Sequence, residues 1–525
     1  MRAPRNRLPF CLLDRRAASD NPLIPRNKLI FLGFIRSSPM SEPFSLSPVK
    51  KSFLALLLCA FVAETHAAES KPNILLILSD DHSSPHVGCY GNPDIKTPNL
   101  DRFAAQGMRF DRMYVSAPQC VPSRATLFTG RSPVAIGMAR FSAPLPREVK
   151  TYPEILRAAG WYTGVAGRTY HMDGAGTSPE SREILAKHQL ATFPDRLDSV
   201  KTAGDNPQSL RQFNEFLNAN PGGKPFFLQL CSTDPHRPLT TQGPERHDPA
   251  KLKLPAHYPD TPLVRKDFAA YYDEIAHFDG FFGEVMAELD RRGLSENTLV
   301  AFMGDNGCSQ FRGKGTLYEF GIHVPLIVRW PGTVKPGASN SALVSGEDLA
   351  PTFLEAAGLP VPREMTGKSF LKLLRGESFE GRMFVFAERG AHGSSLPGTS
   401  AGFDLARVVV GKTHKLIYNA LGELPYAPVD FGGEPFWKEI VRMHEEKKLA
   451  SDLAPLYFAP HRPMFELFDL QSDPSELKNL AGQPGSAAIE KQLKAALQEW
   501  MILERDFVPL PVTPDAKPHK GGKHP

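Results

Sequence analysis

Cysteine is scarce in this chain. Six occur among 525 residues, at positions 11, 59, 89, 120, 231 and 308, with no CxxC pair. That scatter excludes a disulfide scaffold and a zinc ribbon. Long hydrophobic runs are missing as well. The apolar stretch "SFLALLLCAFVA" at 52–63 is shorter than the roughly 20 residues a bilayer crossing needs, so no stable membrane anchor is expected. Nor does one sign of charge dominate. The formal net charge is +4, and residues 1–67 account for it. They hold 10 of the 61 Lys and Arg but 4 of the 57 Asp and Glu, which leaves 51 against 53. A chain so balanced offers no basic face for nucleic acid.

What is present is an ordinary globular composition, 41% hydrophobic and 22% charged, with length for one large domain and a smaller one. The 49 prolines and 42 glycines point to many loops. Lys50 and Lys51 precede the apolar stretch, and "ETHAAES" follows it, with Thr65 and Ala67 as small residues at a cleavage site. This order reads as a secretory signal peptide. Residues 1–67 are therefore expected to form a leader, with the true start at Met40, and the mature protein is expected to be periplasmic or secreted. Cys11 and Cys59 would leave with the leader.

Several short apolar runs read as buried strands: "NILLIL" (73–78), "YTGVAG" (162–167), "PFFLQL" (225–230), "TLVAFM" (298–303) and "VPLIVRW" (324–330). Helical patterns separate them. Phe268, Tyr271, Ile275, Phe278, Phe282, Val285 and Leu289 make one apolar stripe at helical spacing. Such alternation predicts an α/β fold with a mostly parallel sheet, in which ligands bind beyond the carboxyl ends of the strands. Four strand ends carry polar clusters: "SDDH" with Asp80 and Asp81, "RTYH" with Arg168 and His171, "CSTDPHRP" with Asp234 and His236, and "GDNG" with Asp305 and Asn306. Each alone is ordinary turn chemistry. Together they describe the lip of one site. In "APQCVPSRATLFTGR" (117–131), Pro122 suits the first turn of a helix and Gly130 its stop. Cys120 would then sit at a helix N-terminus, where a thiolate or a bound oxyanion such as sulfate or phosphate is favoured.

"CVPSR" followed by "ATLFTGR" resembles the signature of type I sulfatases. The resemblance runs from "KPNILLILSDDHSSPHVGCYGNPDIKTPNLDRFAAQGMRF" through "GDNGCSQFRGKGTLYEFGIHVPLIVRWPG" to "MFELFDLQSDPSELKNL". It implies an alkaline-phosphatase-like sandwich with a smaller C-terminal antiparallel sheet. It further implies that Cys120 is converted to formylglycine by a formylglycine-generating enzyme. Asp80, Asp81, Asp305 and Asn306, with residue 120, would hold a divalent cation. Their oxygens suit calcium first and magnesium second. The resemblance makes Arg124 the anchor of residue 120 and of the metal carboxylates, and His171 the base that breaks down a sulfated intermediate. His236 would protonate the leaving oxygen, and Lys314 would bind a sulfate oxygen. Arg168 stands where the family usually has lysine, which keeps charge but changes reach.

Substrate contacts are expected from Arg237, which follows His236 as in heparan N-sulfatases, and from His392 in "FAERGAHG", with Glu388 and Arg389 beside it. The segment "GKTHKLIYNALGELPYAPVDFGGEPFWKEI" is also similar to the C-terminal part of those enzymes and of bacterial glycan sulfatases. The expected division is a catalytic domain over 68–385, a C-terminal subdomain over 386–505 and a poorly ordered tail over 506–525. The expected activity is removal of sulfate from a sulfated glycan. The alternatives are a sulfamidase acting on N-sulfated glucosamine, a phosphonate or phosphate ester hydrolase, and a non-catalytic glycan-binding protein. Lys314 in "RGKGTLYE" argues against the sulfamidase, and the intact set of Cys120, Arg124, His171, His236 and Lys314 against the last.

Overall fold

The computed structural model describes residues 71–174, 178–240, 247–392 and 402–511. The leader expected over 1–67 and the tail beyond 511 lie outside the described residues. "NILLILS" forms β1 (Asn73–Ser79), buried at every residue. Consecutive aliphatics need apolar partners on both faces of a sheet. Ile74, Leu76 and Leu78 join the core on one side, and Leu75 and Ile77 the core on the other. Each such side chain contributes roughly 1.5–3 kcal/mol on burial.

The other strands of this sheet are β2 (Met108–Tyr114), β3 (Tyr162–Gly167), β4 (Ser199–Val200), β5 (Phe226–Cys231), β6 (Thr298–Gly304), β7 (His323–Arg329), β8 (Ala338–Asn340) and β9 (Val344–Ser345). Their order is β4-β3-β5-β1-β6-β7-β2-β8, with β9 beside β2. From β4 to β6 all pairs are parallel. β7 runs antiparallel to both β6 and β2. The five strands expected from apolar runs all form, and those at 226–231 and 298–304 lie either side of β1. β2 was not expected. Arg109, Asp111 and Arg112 interrupt its apolar pattern, and its register with β7 shifts between Phe110 and Met113.

The long helix is Pro262–Arg291, capped by the Thr261 side chain, which accepts from the Val264 N–H. Every residue of its expected stripe is buried. Phe278, Phe282, Val285 and Leu289 cover one face of the main sheet, whereas Phe268, Tyr271 and Ile275 pack with Phe431, Phe436 and Trp437. A second, antiparallel sheet has the order β10 (Val385–Arg389), β11 (Ala406–Val410), β12 (His414–Asn419), β13 (Phe465–Asp469). Alternation along β11 divides its valines. Val408 and Val410 enter the core shared with the main sheet, and Val409 packs under the helix Ala487–Leu503 with Leu493, Leu497 and Trp500.

Candidate active site

The carboxyl ends of β1, β6 and β5 are tied together by backbone hydrogen bonds. Asp305 N–H donates to the Ser79 carbonyl, His82 N–H to Asn306, and Asp80 N–H to Asp234, at 2.8–3.0 Å. Neither Asp80 nor Asp81 caps a helix. Asp81 instead holds a left-handed backbone at φ 65°, an uncommon conformation for a residue with a Cβ. Its N–H donates to Asp305 Oδ1 at 3.0 Å, and Tyr271 Oη donates to its carbonyl at 2.9 Å.

Cys120 opens the helix Cys120–Thr129, which Gly130 closes at φ 63°. Its Sγ lies 3.6 Å from Asp80 Oδ1. Ligand atoms of Asp80, Asp81, Cys120 and Asp305 all lie within 4.8 Å of one another. Arg124, one turn on, puts Nη2 at 3.0 Å from Asp80 Oδ2 and 2.8 Å from Asp305 Oδ2, all wholly buried. Arg168 Nε lies 2.5 Å from Asp80 Oδ2. Lys314 Nζ lies 2.9 Å from Asp81 Oδ1.

Burial sets the three carboxyls at the floor of the site apart from one another. Burial would raise Asp80, but Arg168, His236 and Arg124 hold it well below the usual carboxylate range. Burial, then Asp80 and Asp430, push Asp81 up to about 7 despite Lys314. Burial and Asp80 push Asp305 up to about 6 despite Arg124. Two buried carboxyls thus resist ionisation because burial and their acidic neighbours outweigh the cations beside them. The Asn306 amide donates to Asp81 Oδ1 at 2.8 Å, and its own buried Oδ1 has no hydrogen-bond partner. Crowded carboxyl oxygens with an orphaned amide oxygen fit a hard divalent cation. The helix N-terminus does not make Cys120 a thiolate, because burial and Asp80 push its thiol well above the ordinary value.

Four groups line the mouth, with side-chain exposures of 22% for Arg168, 18% for His236, 15% for His392 and 28% for Asp430. The His236 loop is held from behind. Asp234 accepts from Asn206 Nδ2 at 2.7 Å and faces His277 Nδ1 at 2.6 Å. His171, buried at φ 62°, has no partner on either ring nitrogen. Burial and Arg124 hold its pKa well below the ordinary value, so it is neutral. Arg237 turns away from this group. Its fork grips Asp267 at 2.8 and 2.5 Å, and Nε donates to the Ser309 carbonyl at 3.0 Å. Glu388 and Arg389 are buried within β10, so of that stretch His392 alone reaches the mouth. Asp430 was not found from the sequence. Its Oδ2 lies 2.7 Å from Lys314 Nζ and 3.8 Å from His236 Nε2, and its Oδ1 lies 3.5 Å from His392 Nε2. The only signal was an acid in a Gly-rich turn, "VDFGG".

A dense set of cations around buried carboxyls, at the carboxyl edge of a parallel sheet, defines an enzyme that handles tetrahedral oxyanions. The profile of the family described as Sulfatase matches residues 72–359, and the chain belongs to that family: it is a sulfatase. An ulvan-active sulfatase of Formosa agariphila is 27% identical to it, over 86% of this chain and 85% of that protein. Human arylsulfatase A is 30% identical, over 83% and 88%. Among solved structures, BT4656 in complex with D-glucosamine-2-N,6-O-disulfate superposes with a TM-score of 0.63 at 19% identity, covering 84% of this chain and 99% of that one. Structures of this kind share the alkaline-phosphatase-like fold expected from the sequence. Among the described residues no helix is long and apolar enough to cross a membrane.

Proposed function

We propose that this sulfatase removes sulfate from a sulfated sugar or glycan outside the cytoplasm, as a periplasmic or secreted protein, with residue 120 acting as formylglycine. The observation that carries the reading is the convergence of Asp80, Asp81, Cys120 and Asp305 beneath Arg124, Arg168 and Lys314. Asp80, Asp81, Asp305 and Asn306, with residue 120, would hold calcium, or magnesium as second choice. A cation there supplies positive charge against the sulfate oxygens. Formylglycine supplies a geminal diol that takes up the sulfuryl group and releases it as sulfate, a turnover step that a buried neutral thiol lacks.

The remaining roles follow from the side chains themselves. Burial opposes charge on Lys314, but Asp81, Cys120 and Asp430 more than offset it and hold its pKa well above the ordinary value. Its ammonium therefore stays charged to meet a sulfate oxygen, with Arg168 at the outer side. His236 turns Nδ1 to the Arg237 carbonyl, which leaves Nε2 free to protonate the departing oxygen. Burial and Lys314 depress His236 to about 4 in the free protein. A bound sulfate would raise that value and charge the ring when the proton is needed. His171, neutral and unpartnered, suits the base that takes a proton from the diol. On this reading residues 68–385 carry the reaction and residues 386–505 contribute recognition.

Cys120→Ala should abolish sulfate release without unfolding the protein, with a calcium response weakened by the loss of one ligand but kept by Asp80, Asp81, Asp305 and Asn306, and Cys120→Ser should be nearly inactive. Mass spectrometry of the peptide containing residue 120, from active protein made with a formylglycine-generating enzyme, should show the aldehyde. Full activity from protein whose Cys120 is entirely free thiol would overturn the mechanism. Faster turnover of matched phosphate or phosphonate esters than of sulfates would overturn the substrate class.

A further inference from the structure

Asp430 is an unusual group to find at the mouth of an anion site. A carboxylate there repels sulfate, and Lys314 already has Asp81 as a partner at 2.9 Å. Its presentation is nonetheless firmly built. Val429 and Phe431 on either side are buried, and Phe431 packs with Phe311, Phe436 and Trp437. Between them Asp430 takes a left-handed backbone at φ 67°. Such a conformation is uncommon in a residue other than glycine and persists where the surroundings enforce it. Val429 in turn presses on Gly315, next to Lys314. A Cβ at Gly315 would lie 2.4 Å from Val429 Cγ2. The strained acid is therefore fixed relative to the lysine assigned to sulfate.

We propose that Asp430 is a specificity-determining residue that accepts a hydrogen bond from a hydroxyl on the sugar carbon next to the sulfated position, and that it rejects substrates carrying a second anionic group there. The inference rests on the sulfatase reading of the same site. Two hydrogen bonds of about 2.8 Å at the tetrahedral angle of one ammonium put a sulfate oxygen on Lys314 Nζ about 4.5 Å from the Asp430 carboxylate. That span fits a neighbouring ring hydroxyl. With 28% of the side chain exposed, the carboxylate keeps acceptor capacity beyond its contacts to Lys314 and His392. A second sulfate or a carboxylate in the same place would meet an unyielding negative charge.

The test uses matured, calcium-loaded enzyme on three matched sugars: a monosulfate with the adjacent hydroxyl, its deoxy analogue, and the vicinal disulfate. Asp430→Asn and Asp430→Gly both suit a left-handed backbone, and an unchanged calcium-induced rise in Tm verifies folding. The wild type should favour the hydroxyl over the deoxy substrate in kcat/KM by roughly ten- to a hundredfold, the range for a hydrogen bond to a charged group. In D430G that ratio should fall to within roughly threefold, and in both variants the disulfate should gain relative to the monosulfate. Because the readout is a ratio, a general loss through Lys314 cancels. A ratio unchanged in D430G would overturn the proposal while leaving the sulfatase reading intact. Failure of the wild type on every sulfate ester would overturn that reading instead, and this one with it.

Discussion

At the scale of single residues, burial crowds the carboxyls at the floor of the site, and that crowding has a pH signature. Without a cation, Asp81 and Asp305 bind protons up to about 7 and 6, above their ordinary value near 3.8 in the unfolded chain. Between pH 4 and 7 the folded, metal-free protein therefore holds protons that the unfolded chain has lost, and these two groups destabilise it as pH rises. A bound cation removes those protons. Calcium should consequently raise Tm more at pH 7.5 than at pH 5, and calorimetry at pH 6 in buffers of different ionisation enthalpy should register proton release on binding. A calcium response independent of pH would contradict this. Asp305→Ala should abolish both the response and activity without unfolding the chain. Arg237 makes a different kind of prediction. Its guanidinium is committed to Asp267 with both side chains largely buried. Arg237→Ala should thus cost about 3 kcal/mol of stability by leaving the Asp267 carboxylate with the Gln310 amide, at 3.0 Å, in place of a cation. A raised KM at unchanged Tm would restore the substrate contact expected from the sequence.

At the scale of elements, the strands and their polar ends were legible because each strand is a run of aliphatics that stops at a cluster of charge. β2 escaped because its charged residues break the run, and its pairing with β7 is a tertiary fact. Asp430 escaped for the same reason. Nothing near "VDFGG" says that its turn will fold against Gly315, and no local pattern marks an acid as a neighbour of Lys314. The Gly315 contact is itself testable. That residue combines φ 77° with a Cβ position 2.4 Å from Val429 Cγ2. Gly315→Ala should destabilise the protein by about 1–3 kcal/mol and lower kcat/KM, since it displaces Lys314 and Asp430 together. Val429→Ala in the same chain should recover part of the loss. An additive double variant would show that the two do not press on each other.

At the scale of the whole molecule, the two sheets share one core, and the last described segment closes the second. Arg407 of β11 and Asp506 pair with no side-chain exposure, and Val508 is buried beside them. The stretch from 506 to 511 is therefore held to the fold, although the sequence reading assigned it to a loose tail. Asp506→Ala should cost about 3 kcal/mol by removing the close partner of Arg407 and leaving only Glu388, 3.8 Å away, as its acidic neighbour, measurable as a lowered midpoint in urea unfolding. Cys120 is as enclosed as that pair, with 1% of its surface open. A modifying enzyme could not grip a residue in that state, so the proposed conversion to formylglycine would have to win a race against folding. On that proposal the active fraction of a preparation would record the timing of synthesis. Protein that folded first would be trapped as an inert thiol form, and adding the maturation enzyme afterwards would not rescue it unless the chain were unfolded again.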